Sequence, residues 1–269
     1  MNRITATLAT LKESGRKALV TYFVNGDPRP SISLPAMHAL VESGADIIEV
    51  GVPFSDPMAE GPTIQRGHER ALEHNVSLTN TLALVSAFRE TNTTTPVVLM
   101  GYANPVERMG YDAFAVNAKK AGVDGLLTVD LPPEEAPRLT DKLKEQGLES
   151  IFLLAPTSTD ERMDKIVNLA SGFLYYVSLN GVTGAGNIDT GAVNARVDLI
   201  RSKTTTPVLV GFGIKDAESA KKVGANADGV IVGSVLVKAM GETENQSDDE
   251  ICAQLKEKVS AIRAGLDSL

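Results

Sequence analysis

At 269 residues, 43% of them hydrophobic, the chain can bury a sizeable core as a single domain spanning 1–269. Its 26 Lys and Arg against 34 Asp and Glu give a formal charge of −8 with no basic run, which argues against nucleic acid and anionic membranes as partners. No apolar run nears the roughly 20 residues of a membrane span, the N-terminus lacks a signal-peptide block, and the lone Cys252 has no internal partner, so a reducing, cytoplasmic setting is expected.

In chain order, Ile4, Leu8 and Leu11 are spaced as the apolar side of an amphipathic helix. Residues 18–24 read as a strand that ends at Asn25-Gly26-Asp27-Pro28, a turn handing over to a helix near 34–43. A second strand, 46–50, alternates so that Ile47 and Glu49 share one face and Ile48 and Val50 the other. Glu49 is out of place there: a carboxylate among apolar neighbours needs either a buried Lys or Arg or a chemical task. The Pro- and Gly-rich stretch 51–65 reads as a long loop, not helix, yet carries Ser55, Asp56, Glu60, Thr63 and Gln65. Some of these could be plain turn formers.

A helical pattern at 78–90, with Leu82, Leu84, Val85 and Phe88 on its apolar side, leads to a third strand at 96–100, closed by Gly101 to Pro105. A helix at 111–121 and a strand at 125–129 follow. The loop Asp130-Leu131-Pro132-Pro133 predicts a proline at a helix start with Glu134 and Glu135 in the first turn. The fifth strand is 151–155, with Asp160 as the expected N-cap of a helix carrying Met163, Ile166, Val167 and Leu169. The sixth, 173–177, runs into the glycine-rich loop Asn180 to Gly186, and a helix is expected at 192–202. Strands at 207–210 and 229–232 end in Gly211-Phe212-Gly213 and Gly233-Ser234. Helices at 235–240 and 250–266 close the chain around an acidic stretch, with Cys252 a packed residue of the last.

Eight apolar strands alternating with helices predict an α/β fold, a (β/α)8 TIM barrel with an extra N-terminal helix. The rival is a doubly wound open sheet, which usually carries its glycine signature after the first strand; here the glycines gather after strands six, seven and eight. In a barrel, Glu49, Asp130, the 183–184 loop, Gly213, Gly233 and Ser234 would all face the C-terminal rim. Paired glycine turns ahead of a short helix suit a phosphate held by backbone N–H groups. No predicted strand carries a Lys for a Schiff base. His38, His68 and His74 form no metal-binding pair and read as surface or capping residues. What remains is carboxylates, Glu49 with Glu60 and Asp130, suited to proton transfer on a phosphorylated substrate.

The runs Glu49-Val50-Gly51-Val52-Pro53-Phe54-Ser55-Asp56-Pro57, Gly61-Pro62-Thr63-Ile64-Gln65, Gly181-Val182-Thr183-Gly184, Gly211-Phe212-Gly213 and Gly233-Ser234 closely resemble the tryptophan synthase alpha chain family, nearly end to end. The resemblance implies a lyase that cleaves indole-3-glycerol phosphate to indole and glyceraldehyde 3-phosphate. It implies Glu49 and Glu60 as catalytic residues, Glu60 standing where the family has Asp. Tyr22 (commonly Phe), Tyr102, Tyr175, Thr183, Gly184, Phe212, Gly213, Gly233 and Ser234 match substrate and phosphate positions. Asp56 and Pro57 fall on the loop that closes over the site and meets the partner. The family implies no metal and no cofactor on this chain, pyridoxal phosphate (PLP) only on a beta chain, and an αββα heterotetramer. Two alternatives are a mainly allosteric subunit and a stand-alone indole-glycerol-phosphate lyase.

Overall fold

The short apolar segments pair in strict chain order and close on themselves. The computed structural model describes residues 1–177, 190–211 and 213–269. Within them β1 (Ala18–Val24), β2 (Ile47–Gly51), β3 (Val97–Gly101), β4 (Gly125–Thr128), β5 (Glu149–Leu154), β6 (Leu174–Val177), β7 (Val208–Gly211) and β8 (Gly229–Val232) form a closed parallel barrel. Closure runs through Ala18 opposite Gly229 and Thr21 opposite Val232, which rules out the open sheet. Around it lie α1 (Arg3–Glu13), α2 (Pro30–Glu42), α3 (Pro62–Glu73), α4 (Leu78–Arg89), α5 (Ala103–Met109) and α6 (Tyr111–Ala121). The second half adds α7 (Pro137–Glu145), α8 (Asp160–Leu169), α9 (Thr190–Arg201), α10 (Ala217–Gly224), α11 (Ser234–Glu242) and α12 (Asp248–Asp267).

Strand alternation splits the core in two. Leu19, Phe23, Ile48, Val50 and Leu99 point outward into a layer shared with the helices. Val20, Tyr22, Ile47, Val98, Leu127 and Ile231 point inward and meet Ile4, Leu8 and Leu11 of α1, so the extra helix plugs the N-terminal end of the barrel. Asn2 fixes that plug: its Oδ1 accepts the Ile4 N–H at 2.9 Å while its Nδ2 donates to the Asp124 carbonyl at 2.8 Å.

Several local expectations are corrected. The stretch to Gln65 is not all loop, because Pro62 opens α3 at a position where a missing N–H costs nothing. Residues 103–105 belong to α5, and α10 is an additional helix between β7 and β8. Glu134 and Glu135 sit in a turn ahead of α7, whose opening proline is Pro137, and Glu134 pairs with Lys165 instead of the helix start. Thr159, not Asp160, caps α8, its hydroxyl accepting the Arg162 N–H.

Candidate active site

A cavity of about 360 Å³ opens at the C-terminal ends of the strands. It brings together Tyr22, Glu49, Glu60, Tyr175, Gly213, Gly233 and Ser234, drawn from six different strand ends and loops. Met100, Val129, Leu153, Ile214 and Ile231 give the rest of its wall an apolar surface suited to a flat aromatic ring. These wall residues were not singled out from the sequence, although inward alternation on β3, β5 and β8 would have found three of them.

Glu49 points inward with Ile47, as the alternation requires, and is 0% exposed. Neither carboxyl oxygen has a hydrogen-bond partner among the described residues, so the reading in which a buried Lys or Arg neutralises it does not hold there. Burial pushes its carboxyl up to about 8, and the neighbouring Glu60 adds to the rise. Glu60 reaches the same cavity from the loop between β2 and α3, and burial pushes it up to about 7.

That loop is held at several points. The Phe54 ring stacks on Tyr102 with centroids 4.7 Å apart, and the Tyr102 hydroxyl accepts the Ala59 N–H at 3.0 Å. Gln65 of α3 donates to the Glu60 carbonyl at 2.9 Å, which ties the loop to the first turn of the helix that follows it. Beneath it α3 is tied to the end of β1 by the buried ion pair of Arg70 with Asp27, 2.6 Å, and by His74 Nε2 against the Pro28 carbonyl, 3.0 Å. Tyr102 is therefore placed behind the loop and does not line the cavity, unlike Tyr22 and Tyr175. Asp56 and Pro57 stay on the outer side of the loop, Asp56 accepting from the Ser55 hydroxyl at 2.5 Å.

Glycines make room for the two cavity tyrosines. A Cβ on Gly51 would lie 2.5 Å from the Tyr22 hydroxyl, and one on Gly211 would lie 2.5 Å from the Tyr175 hydroxyl. Burial, together with both glutamates, pushes each phenol well above its ordinary value. In the same lining, Gly213 adopts a left-handed φ of 73°, and Gly233 leads into α11, which has no side-chain cap. The Gly233 carbonyl takes the Leu236 and Val237 amides, so the first amides of α11, at Ser234 and Val235, precede the intrahelical ladder. No Lys, Arg or His lines the cavity among the described residues, which leaves backbone N–H groups and hydroxyls as its means of holding an anion.

Two further expectations are corrected. Asp130 is exposed and accepts the Ala103 N–H at 2.8 Å, so it caps α5 instead of joining the carboxyl pair. His68 is neither a surface nor a capping residue: it is 2% exposed, with Nδ1 accepting the Phe54 N–H at 3.1 Å and Nε2 3.4 Å from the Tyr22 hydroxyl. Its spacing from Ile64 and Ala71 marks the buried face of α3, a signal that becomes readable once the segment is recognised as helix. Thr183, Gly184 and Phe212 lie outside the described residues, as does the rest of the 180–186 loop.

Fold and cavity together define a barrel enzyme of the acid/base kind, with a helix start available for an anionic substrate. The family description "Tryptophan synthase alpha chain" matches residues 8–266, and the chain belongs to that family. A Burkholderia ambifaria tryptophan synthase alpha chain is 54% identical over 99% of this chain and 97% of its own. One from Paraburkholderia phytofirmans is 51% identical over 100% and 98%. Among solved structures, the Legionella pneumophila tryptophan synthase subunit alpha superposes with a TM-score of 0.93 at 44% identity, covering 100% of both chains. A tryptophan synthase structure from M. tuberculosis gives 0.87 at 38% identity, over 99% and 100%. The chain is thus a lyase that cleaves indole-3-glycerol phosphate in tryptophan biosynthesis, and its place in an alpha-chain family implies a beta-chain partner.

Proposed function

We propose that Glu49 is the general acid/base of this cleavage and that Glu60 accepts the indole N–H, with the phosphate at Gly213, Gly233 and Ser234. The observation that supports it most is a pair of carboxyl groups in one cavity, without a hydrogen bond at Glu49 from any described residue, raised to about 8 and about 7. Near neutrality Glu49 then holds its proton while Glu60 is close to half ionised, a division suited to one acid and one acceptor.

Glu49 delivers its proton to indole C3, and the positive charge that develops on the ring is met at N1–H by the Glu60 carboxylate. The bond from C3 to the glycerol carbon then breaks. Its electron pair returns to the ring to restore indole, while the hydroxyl on that carbon yields its proton to Glu49 and becomes the aldehyde of glyceraldehyde 3-phosphate. One proton gained at carbon balances one lost from oxygen, and Glu49 ends as it began.

The apolar wall and Tyr175 pack the indole ring, and Tyr22 lies on the glycerol side. Thr183, Gly184 and Phe212 complete the substrate contacts by family resemblance. Asp56 and Pro57, beside the 78% exposed Met58, form the loop that closes over the site and meets the beta chain. Tyr102 contributes through that loop. The chain acts as one domain over 1–269 and needs no cofactor of its own, since two carboxyls supply every proton step. PLP belongs to the beta chain, the assembly is αββα, and the setting is cytoplasmic.

Indole release by the isolated chain and by the chain with its beta partner tests the assignment. Glu49→Gln is expected to lower turnover by roughly 10²–10⁴-fold, whereas Glu60→Asp keeps cleavage, because it retains the carboxylate and is the residue the family resemblance puts at this position. Normal turnover in Glu49→Gln sinks the proposal.

A further inference from the structure

The hydrogen bonds of His68 have only one consistent proton assignment. Nδ1 accepts the Phe54 N–H and so carries no proton. Burial pushes the imidazole down to about 4, which keeps it neutral at ordinary pH, with its single proton on Nε2. Nε2 faces the Tyr22 hydroxyl, so that oxygen is the acceptor. A phenol oxygen that accepts from His68 retains its own proton for another acceptor.

The location of Tyr22 tells where that proton is available. Tyr22 is paired in register with Glu49, its hydroxyl lies over Gly51, and its ring is 3.1 Å from where a Cβ on Gly233 would stand. The hydroxyl thus sits over the end of β2, two residues past the acid, while the near edge of the ring packs against the start of α11, and both flank the cavity. Glu49 takes no hydrogen bond from it. We propose that His68 is a positioning residue for the reaction: it fixes Tyr22 as a hydrogen-bond donor to an oxygen of the substrate's hydroxylated, phosphorylated chain. The proposal rests on the lyase reading of this cavity. It also makes the two residues a unit, because Phe at 22 would leave the His68 Nε2–H facing a hydrocarbon edge.

A contact to the polar chain of the substrate is made equally before and during bond breaking, so its loss raises KM more than it lowers kcat. The test is a cycle of the full chain, Tyr22→Phe, His68→Asn and the double variant, with indole release and the Kd for glycerol 3-phosphate measured in parallel. His68→Asn is chosen because its side-chain oxygen still accepts the Phe54 N–H while nothing reaches Tyr22. Each single variant is expected to raise KM and Kd about three- to tenfold, as befits one hydrogen bond. The double variant is expected to be no worse than Tyr22→Phe. An unchanged KM and Kd in Tyr22→Phe, or a His68→Asn effect of the same size in both backgrounds, overturns the proposal.

A second readout does not depend on turnover. The ¹⁵N resonances of His68 are expected to report the neutral Nε2–H tautomer, with Nε2 moving in Tyr22→Phe; an Nδ1–H tautomer overturns the assignment. Wild type that releases no indole would instead count against the lyase reading, and the Kd cycle and the tautomer would still decide the role of His68.

Discussion

At the N-terminal end of the barrel Asp46, Asp124 and Asp228 each stand one residue before a strand, and each is paired with an arginine and a backbone amide; at the other end Glu49 and Glu60 share a cavity with no cation in its lining among the described residues. Asp124 accepts from Arg3 at 2.9 Å, Arg89 at 2.8 Å and the Val97 amide at 2.8 Å. Asp46 takes the Leu19 amide and Arg263, and Asp228 takes the Val208 amide and Arg201. Each aspartate thereby latches its own strand to the one beside it. Burial costs a carboxylate desolvation at either end. Where arginine and backbone donors repay it, the group serves the fold; where nothing repays it, the proton stays within reach of a substrate.

The contrast breaks most sharply if the two ends are exchanged in effect. Asp124→Ala removes the carboxylate from the part-buried Arg89, which keeps only backbone carbonyls as acceptors, leaves the Val97 amide without its partner, and should cost about 3 kcal/mol in urea unfolding while the folded fraction keeps its turnover. Glu49→Gln should do the reverse, losing turnover with no loss of stability. A variant of Asp124 that abolishes cleavage while folding normally would show that the N-terminal latch reaches the chemistry.

A smaller effect sharpens the same point through pH. The Glu49 carboxyl is raised in the folded chain from 4.5 to about 8, so the stability it contributes is fully present below the lower value and is lost as pH rises through the higher one. Relative to wild type, Glu49→Gln should therefore gain stability between about pH 5 and 8, by at most about 1.4 kcal/mol per pH unit. Chemical denaturation across that range measures it, and parallel curves for the two proteins would mean that Glu49 is already neutralised by a partner.

Much of this contrast is legible in the sequence. Buried parallel strands are apolar runs, so all eight are legible, and period-two alternation puts Glu49 on the face of Ile47, which the closed barrel turns inward. Pro62 was misleading because a proline that breaks a helix interior is welcome at its first position. The capping box from Asp216 to Ser219 announced α10 but was overlooked beside the stronger glycine signal of Gly213. The latches leave a trace as well, in Gly44-Ala45-Asp46, Gly122-Val123-Asp124 and Ala227-Asp228-Gly229 at strand starts. Their arginine partners at 3, 89, 201 and 263 are scattered along the chain, and only the closed barrel brings them to the rim. For the same reason no spacing rule could show that Glu49 lacks a partner among the described residues, that Tyr102 stands behind the loop, or that His68 reaches Tyr22.

The difference between the two ends is most directly tested by a carbon-detected NMR titration of the Glu49 and Glu60 side-chain carboxyls in the wild-type chain. Midpoints near 8 for Glu49 and near 7 for Glu60 are predicted. Midpoints at the ordinary glutamate value of about 4.3 would mean that both carboxyls are ionised and compensated at neutral pH, and the acid/base assignment would be wrong.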